Sequence, residues 1–253
     1  MRLLKRAIEI LRQEGIIALA KALLRYAVRP VVEIVYFLRY HSRILNFRHY
    51  GDLNELVDFV YNQCHGLIRP IQVRSEILEL LTILDRTRPR SILEIGTANG
   101  GTLFLFTRIA SEDAGIVSID LPGGRYGGGY PRWKIPLYKS FALPGQAIHL
   151  IRADSHNRTT LEKTKAVLGD NGVDFLFIDG DHTYDGVKKD FEMYSTLVKK
   201  NGIIAFHDIV SSPSMTGCEV ITYWNEIKSG YEHAEVVEDW NQGGAGIGLI
   251  KNA

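Results

Sequence analysis

The sequence predicts an α/β fold, a doubly wound and mostly parallel sheet of seven strands with an antiparallel last strand, preceded by a helical extension. Three observations predict it. From Ser91 onward, short apolar runs alternate with stretches of helical spacing. A glycine-rich turn follows the first run, and turns of this kind join a strand to a helix beside a bound ligand. The last two runs, 233–238 and 245–250, are linked too closely for a crossover helix, so we expect them to pair antiparallel at the sheet edge.

Length and composition narrow the class of protein. The chain has 253 residues, of which 45% are hydrophobic and 23% charged, so a disordered chain, a fibre and a disulfide scaffold are excluded. Two isolated cysteines, Cys64 and Cys218, predict neither a zinc site nor a disulfide framework, and they favour a reducing, cytoplasmic setting. The net charge of +1 gives no reason to expect a nucleic-acid partner.

Charge divides the chain into a basic amphipathic helical arm, residues 1–50, and a domain spanning 51–253. Residues 1–49 hold ten basic and three acidic residues, a net charge of +7, whereas the remainder holds 20 and 26, a net charge of −6. The arm contains no window of roughly 18 uncharged apolar residues, so it is not a membrane span. Its spacing predicts two or three helices with a break at Pro30. Two interpretations stay open: packing on its own domain or on a second copy in a homo-oligomer, and peripheral contact with an anionic membrane.

The remaining elements follow from apolar spacing. Two leading helices, 52–65 and 73–87, occupy most of residues 51–88. The first five strands are predicted at Ser91–Ile95, Gly115–Leu121, Ala147–Ile151, Val173–Asp179 and Gly202–His207. The helices that follow strands are predicted at Asn99–Ala110, Arg158–Leu168, Asp185–Lys199 and 217–228.

The turn after the first strand predicts a site for a ligand that carries a nucleoside. Gly96 lets the chain leave the strand sharply, and Gly100 permits a ligand to approach the backbone. Glu94 places a carboxylate beneath the turn, which suits a cationic amino group better than a pyrophosphate. Asp120 ends the next strand, where an acid accepts hydrogen bonds from ribose hydroxyls.

The run Leu93–Gly100 resembles the first motif of class I S-adenosylmethionine-dependent methyltransferases, and the seven-strand pattern over 90–250 is similar to their Rossmann-like sheet. The resemblance implies S-adenosylmethionine as the cofactor. It implies the following cofactor-binding residues: Glu94 near the methionine end, Gly96, Thr97 and Gly100 along the turn, Asp120 on the ribose, and Asp154 and Ser155 framing the adenine.

Carboxylates and imidazoles cluster after the fourth and fifth strands. Asp179, Asp181 and His182 follow one strand, and His207 and Asp208 end its neighbour. Because the carboxyl ends of adjacent strands face one crevice, we expect these side chains to converge. Such a set suits a divalent ion, Mg²⁺ or Mn²⁺, that lowers the pKa of a substrate hydroxyl, with Asp181 or His182 taking the proton. The alternative is that His207 and Asp208 only pack and cap.

Ile178–Asp181 is similar to the Ile-Asp-Gly-Asp motif of cephalosporin hydroxylase-like proteins and metal-dependent sugar O-methyltransferases. This resemblance implies that Asp179 is a metal ligand and Asp181 a base. It places the remaining ligands after the next strand, here at His207 and Asp208.

A glycine-rich segment after the second strand predicts a lid. Five of the eight residues 122–129 are glycines, which predicts a mobile loop, and Tyr126, Tyr130 and Trp133 supply amphipathic anchors. Because the segment leaves the strand that carries Asp120, we expect the insertion 122–146 to close over cofactor and acceptor.

These features together predict a cytoplasmic S-adenosylmethionine-dependent O-methyltransferase, assisted by a divalent ion and acting on a hydroxyl of a sugar, glycan or related natural product. Two alternatives remain open. One is methylation of a small phenolic acceptor, and the other is a non-catalytic cofactor-binding or membrane-docking module of the same fold.

Overall fold

The structure is a computed structural model that describes residues 2–48, 51–124, 126, 129–213 and 215–252. The chain divides into two compact units, Met1–Ile44 and Leu45–Ala253. The division falls a few residues before the predicted boundary at residue 50. Within the second unit, the ring of Phe47 stacks on Phe59 with 4.0 Å between centroids, so the apolar packing of the domain begins before residue 51.

The arm is helical, as expected, but it does not break at Pro30. The helix α1 covers Arg2–Asn46, and its one interruption among these residues is at Gly15, where φ is 84° and ψ is 175°. Glycine adopts this left-handed region without a steric penalty, whereas a proline that already has helical φ can be carried inside a helix at some cost in hydrogen bonding. No described helix is both long and apolar enough to cross a membrane.

The second unit alternates helices and strands. Its helices are α2 (Leu53–Asn62), α3 (Arg74–Thr87), α4 (Gly101–Ile109), α5 (Ile135–Lys139), α6 (Arg158–Leu168), α7 (Tyr184–Tyr194) and α8 (Val220–Ile227). Its strands are β1 (Ser91–Ile95), β2 (Gly115–Asp120), β3 (Ala147–Arg152), β4 (Val173–Ile178), β5 (Val198–His207), β6 (His233–Val236) and β7 (Ile247–Lys251).

The strands form one seven-stranded sheet in the order β3-β2-β1-β4-β5-β7-β6. Strands β1 to β5 are parallel to one another, and β7 runs antiparallel between β5 and β6. The predicted fold class and the antiparallel pairing of the last two strands are therefore confirmed. The order reverses at β1 and β4, and in sheets of this type ligands bind beside the carboxyl ends of the strands at that point.

The core lies on both faces of the central strands. All five residues of β1 are buried, as are five of the six in β4. Phe175 and Phe177 pack edge-on against Phe106 of α4 on one face. On the other face, Leu176 and Ile178 belong to a buried cluster that includes Trp224 of α8. Burial on both faces explains why these strands read as continuous apolar runs in the sequence.

Two segments differ from the predicted elements. The helix α7 ends at Tyr194, and β5 begins at Val198 rather than at Gly202. The start of this strand was not predicted because residues 199–201 are polar, and its pairing with β4 shifts register there. The insertion 122–146 was predicted as a mobile loop, but its second half contains α5 and the fully buried ring of Tyr138.

Candidate functional site

A cavity lies at the carboxyl ends of the central strands, beside the point where the strand order reverses. Gly96 after β1, Asp120 at the end of β2 and Asp154 after β3 contribute to its lining. Asp179 and Asp181, after β4, line the same cavity. The predicted nucleoside-binding residues and the predicted metal-binding strand end therefore meet in one place.

The turn between β1 and α4 depends on two glycines. Gly96 has a φ of +102°, and a Cβ there would lie 2.0 Å from the backbone oxygen of Asp179. Gly100 has a φ of +76°, and a Cβ there would lie 2.6 Å from the ring of Tyr138. Any other residue at either position would collide with its neighbour and strain the backbone. The turn therefore presents bare backbone to the cavity.

Asp120 is held in place by the same turn. Its Oδ2 atom accepts a hydrogen bond of 2.8 Å from the backbone N–H of Ala98. Burial raises the pKa of Asp120 to about 6, against lowering contributions from backbone hydrogen bonds at Ala98, Thr97 and Leu121. The side chain is therefore an ionised acceptor at neutral pH that faces the cavity, as a ribose-binding acid requires.

Glu94 and Thr97 lie beneath the turn rather than in the cavity lining. Glu94 is fully buried, and its two carboxylate oxygens accept hydrogen bonds of 2.5 Å from the hydroxyls of Thr102 and Ser118. Burial raises the pKa of Glu94 to about 8. The hydroxyl of Thr97 lies 2.5 Å from that of Ser118. These hydrogen bonds brace the floor of the turn, and the predicted contact of Glu94 with a cationic amino group stays a prediction.

The segment after β3 contributes Asp154, Ser155 and also His156 to the cavity. The Oδ1 atom of Asp154 accepts the backbone N–H of His156 at 2.9 Å, and the hydroxyl of Tyr194 donates to the backbone oxygen of Ser155 at 2.8 Å. The Nε2 atom of His156 lies 3.2 Å from the fully buried carboxylate of Asp190 in α7, and this interaction raises the pKa of His156. The segment is thus tied to the helix that follows β4.

Asp179, His207 and Asp208 converge as predicted for a metal site. The Nδ1 atom of His207 lies 3.1 Å from Oδ1 of Asp179 and 3.4 Å from Oδ1 of Asp208. Burial by itself would lower the pKa of His207, but the charges of Asp179 and Asp208 raise it well above its usual range. For Asp208, burial by itself would raise the pKa, but the neighbouring His207 and His182 hold it far below its ordinary value.

His182 joins this cluster, whereas Asp181 faces the cavity. The Nδ1 atom of His182 lies 2.5 Å from Oδ2 of Asp208. Burial by itself would lower the pKa of His182, but the contacts with Asp208 and Cys218 and the charge of Asp179 raise it to about 10. Asp181 uses its Oδ1 atom to accept hydrogen bonds from the backbone N–H and the hydroxyl of Thr183, at 3.0 and 2.9 Å.

The donor atoms of the cluster fit a bound cation. His207 Nε2 is buried without a hydrogen-bond partner among the described residues, and Asp208 Oδ2 and His182 Nδ1 have no partner there apart from each other. Leaving such atoms unsatisfied costs about 1–3 kcal/mol each. A divalent ion satisfies carboxylate and imidazole donors together, so the chemistry of the donor set suits a divalent ion.

The glycine-rich loop reaches across to this cluster. The ring of Tyr126 lies 4.6 Å from that of His182, and its hydroxyl donates to the backbone oxygen of Gly217 at 2.9 Å. Gly124 and Gly129 also line the cavity. Arg125, Gly127 and Gly128, which belong to the predicted lid, lie outside the described residues. The loop therefore covers His182 in this conformation, and its opening and closing stay a prediction.

Comparisons with known proteins agree with this architecture. Residues 93–209 match the family model of a methyltransferase domain. An uncharacterized protein of Acanthamoeba polyphaga mimivirus is 31% identical over 142 residues, which are 55% of this chain and 61% of that protein. The chain spans less than two thirds of the length of the curated relatives that it matches.

Two solved structures show the same topology. The O-methyltransferase TomG from Streptomyces achromogenes, involved in tomaymycin synthesis and solved with S-adenosylmethionine, is 16% identical with a TM-score of 0.52, covering 88% of this chain and 96% of that chain. An O-methyltransferase from Bacillus cereus, solved with S-adenosylhomocysteine, is 16% identical with a TM-score of 0.53, covering 85% and 96%. This chain has the Rossmann-like methyltransferase fold. The fold and the domain match together support a methyltransferase enzyme.

Sequence analysis missed four residues of this methyltransferase fold that contribute to the site. Gln72 donates a hydrogen bond of 2.7 Å to Asp179 across 107 positions of sequence. Cys218 joins His182, and Asp190 supports His156 from inside α7. No local pattern marks these residues, because each reaches the site only through tertiary packing. His156 follows Asp154 and Ser155 directly, so its proximity to them could have flagged it.

Proposed function

We propose that this protein is an S-adenosylmethionine-dependent O-methyltransferase that modifies a hydroxyl of a sugar, glycan or related natural product with the help of a divalent ion. The observation that carries the proposal is the shared cavity: Asp120, on the predicted cofactor side, and Asp179 and Asp181, on the predicted acceptor side, line one space. Methyl transfer needs this arrangement because methyl donor and hydroxyl must meet in line.

The cofactor side is built to hold a nucleoside. When bound, S-adenosylmethionine supplies an electrophilic methyl group. Asp120 accepts hydrogen bonds from the ribose hydroxyls, and the bare backbone at Gly96 lets the ligand approach the turn. Asp154 and Ser155 frame the base, and the contacts of their segment with α7 keep it in place.

On the acceptor side we assign the proton transfer to Asp181. Its carboxylate lines the cavity, and the hydrogen bonds from Thr183 orient it. His182, the alternative base, is covered by the ring of Tyr126 and is turned toward Asp208. Asp179, His207 and Asp208 would hold the divalent ion, which when bound lowers the pKa of a coordinated hydroxyl.

An exposed aromatic side chain supports a sugar as the acceptor. Trp240, between β6 and β7, has 53% of its surface exposed. Its loop is anchored to the site, because the backbone N–H of Ala245 donates to Oδ1 of Asp208 at 3.1 Å and Gln242 donates to the buried Glu76 at 2.7 Å. An indole with one apolar face free can pack against the apolar face of a sugar ring.

The deciding experiment measures the release of S-adenosylhomocysteine with panels of nucleotide-activated sugars, free glycans and catechols, with product masses as the second readout. We expect turnover on sugar hydroxyls, reduced in Trp240→Ala through a raised KM. Asp181→Asn should lower kcat, whereas the matched surface variant Asp170→Asn should not. Turnover on catechols alone would replace the sugar assignment. Cofactor binding with no turnover on any hydroxyl would instead favour the non-catalytic module.

We also propose that the arm makes peripheral contact with an anionic membrane surface. Eleven large apolar side chains between Leu11 and Leu38 are 38–73% exposed, although exposed apolar patches of this extent are unusual in soluble monomers. Basic residues such as Lys21 and Arg39 are exposed among them. Such a surface suits a headgroup region, which takes up apolar side chains and attracts positive charge.

A second copy of the chain suits this arm less well. Two arms that pair with each other would bring together two segments of +7 net charge. The homo-oligomer predicted as an alternative is therefore an outcome of the test rather than the proposal.

Flotation with vesicles tests the membrane contact. The full chain should float with phosphatidylglycerol-containing vesicles and not with pure phosphatidylcholine, and salt should release it. Lys21→Glu with Arg39→Glu, or Leu24→Asp, should abolish flotation. The matched controls Lys163→Glu with Lys200→Glu, and Ile71→Asp, carry the same changes on exposed positions of the second unit and should still float. Absence of flotation, with a dimer in light scattering that Leu24→Asp dissociates, would overturn the proposal in favour of self-association.

A further inference from the structure

Five donor residues, which we call the His–Asp–Cys cluster, form two overlapping sets at the end of the central strands. Asp179, His207 and Asp208 place one ligand atom each within 4.8 Å of one another. His182, Asp208 and Cys218 do the same, and Asp208 belongs to both sets. The sequence pattern predicts the first set as metal ligands and His182 as a possible base, and it predicts no role for Cys218.

Asp208 is the residue that the two sets of donor atoms share. Its Oδ2 atom and the Nδ1 atom of His182 contact each other at 2.5 Å, and neither has another hydrogen-bond partner among the described residues. The side chains of Asp208 and His182 are 4% and 11% exposed, so water does not readily replace the missing hydrogen bonds. Metal–ligand bonds to nitrogen and oxygen are about 2.0–2.2 Å long, so a cation would lie beside this pair rather than between its atoms, where it would coordinate both.

Backbone hydrogen bonds on both sides of Cys218 hold its thiol close to His182. The N–H of Glu219 donates to the backbone oxygen of His182 at 2.7 Å, so the segment before α8 is fastened to the segment after β4. On the other side of Cys218, the backbone oxygen of Gly217 accepts the hydroxyl of Tyr126 at 2.9 Å. Both neighbours of Cys218 are therefore held, and its side chain stays beside His182.

We propose that His182 and Cys218 are additional ligands of the ion, and that the ion is a late first-row transition metal of the zinc class rather than Mg²⁺. The inference rests on the metal site of the proposed function. Mg²⁺ takes oxygen ligands and retains several waters, whereas two imidazoles and a thiolate favour Zn²⁺ and its neighbours in the series. The ligand role also explains why His182 is turned away from the cavity.

Cobalt spectroscopy of the full-length protein tests the thiolate. After the metal has been stripped, Co²⁺ titrated into wild-type protein should give a near-ultraviolet thiolate-to-cobalt charge-transfer band. Cys218→Ser should lose the band while still binding Co²⁺. The matched control Cys64→Ala, which alters the other cysteine, should keep it. A wild-type spectrum without the band, or a band that survives in Cys218→Ser, would overturn the inference.

Calorimetry tests the choice of metal and the role of His182. Zn²⁺ should bind more tightly than Mg²⁺, and His182→Asn should weaken Zn²⁺ binding by at least about tenfold. Equal Zn²⁺ affinity in wild type and His182→Asn, or tighter binding of Mg²⁺ than of Zn²⁺, would contradict the proposal. These readouts are independent of methyl transfer: failure of S-adenosylhomocysteine to bind would remove the proposed function and leave the cobalt band unaffected.

Discussion

Gly96 and Asp179 touch so closely that no side chain fits between them. A Cβ on Gly96 would lie 2.0 Å from the backbone oxygen of Asp179, and the backbone N–H of Asp179 donates to the oxygen of Ile95 at 2.8 Å. The first residue belongs to the cofactor turn and the second to the ion cluster. The paired ends of β1 and β4 thus join the two halves of the site, so a displacement of one half moves the other.

Gly96→Ala should therefore damage both halves. The added methyl group must displace β4, and the φ of +102° is strained for alanine, so we expect a loss of about 2–5 kcal/mol in the free energy of unfolding. Denaturant titration measures this loss. Gly115→Ala, at the start of β2 where a Cβ meets nothing within 4 Å, is the control and should change stability little. Equal stability of the two variants would show that the turn tolerates a side chain.

Asp120→Ala should weaken the binding of S-adenosylhomocysteine. Loss of charge-assisted hydrogen bonds to ribose costs roughly 1.5–3 kcal/mol, which calorimetry resolves easily. The exposed Asp170→Ala should bind as the wild type does. Unchanged affinity in Asp120→Ala would reject Asp120 as the ribose acceptor.

Cofactor affinity should also depend on pH. The ionised carboxylate of Asp120 accepts the ribose hydroxyls, and its pKa in the free protein is raised to about 6. Affinity should fall as the pH drops through about 6, because protonation of Asp120 removes the acceptor charge. Asp120→Asn carries no titrating group there, so its affinity should vary less over pH 5–7. A parallel decline in both proteins would assign the effect to another group.

Removal of the ion ligands should abolish activity without unfolding the protein. Asp179→Asn and Asp208→Asn retain the shape of each side chain but remove the charge that holds a divalent ion. We expect methyl transfer to be lost, with circular dichroism spectra close to that of the wild type. Exhaustive chelation should have the same effect. Full activity after chelation would return His207 and Asp208 to structural roles.

The loop 122–134 should become protected when the cofactor binds. Tyr126 already bridges to Gly217 and His182, and a bound nucleoside would add contacts at Gly124 and Gly129. Limited proteolysis should cut this loop more slowly with S-adenosylhomocysteine, while cleavage within residues 1–49 provides the internal reference. Tyr126→Ala should increase cleavage in both states. An unchanged rate with cofactor would argue against a lid.

Much of the fold could be predicted because local pattern carries it. The strands β1 and β4 are buried on both faces, so they appear as continuous apolar runs. Asp52 caps α2 and Asn157 caps α6 by hydrogen bonds to a backbone N–H two residues ahead, a local signal that the sequence shows. The start of β5 was missed because a register shift admits polar residues, whose pairing is set by β4 rather than by local hydrophobicity.

The sequence by itself determined the parallel, doubly wound class of the sheet, the glycine turn at Gly96 and the acids at the strand ends, because strand ends and tight turns are local properties. The tertiary structure decided which side chains meet. Glu94 proved to be buried under Thr102 and Ser118, and Gln72 and Cys218 came to Asp179 and His182 from distant segments. These long-range contacts depend on how the helices pack on the sheet. The energy of that packing comes from the whole core and not from any short segment of sequence.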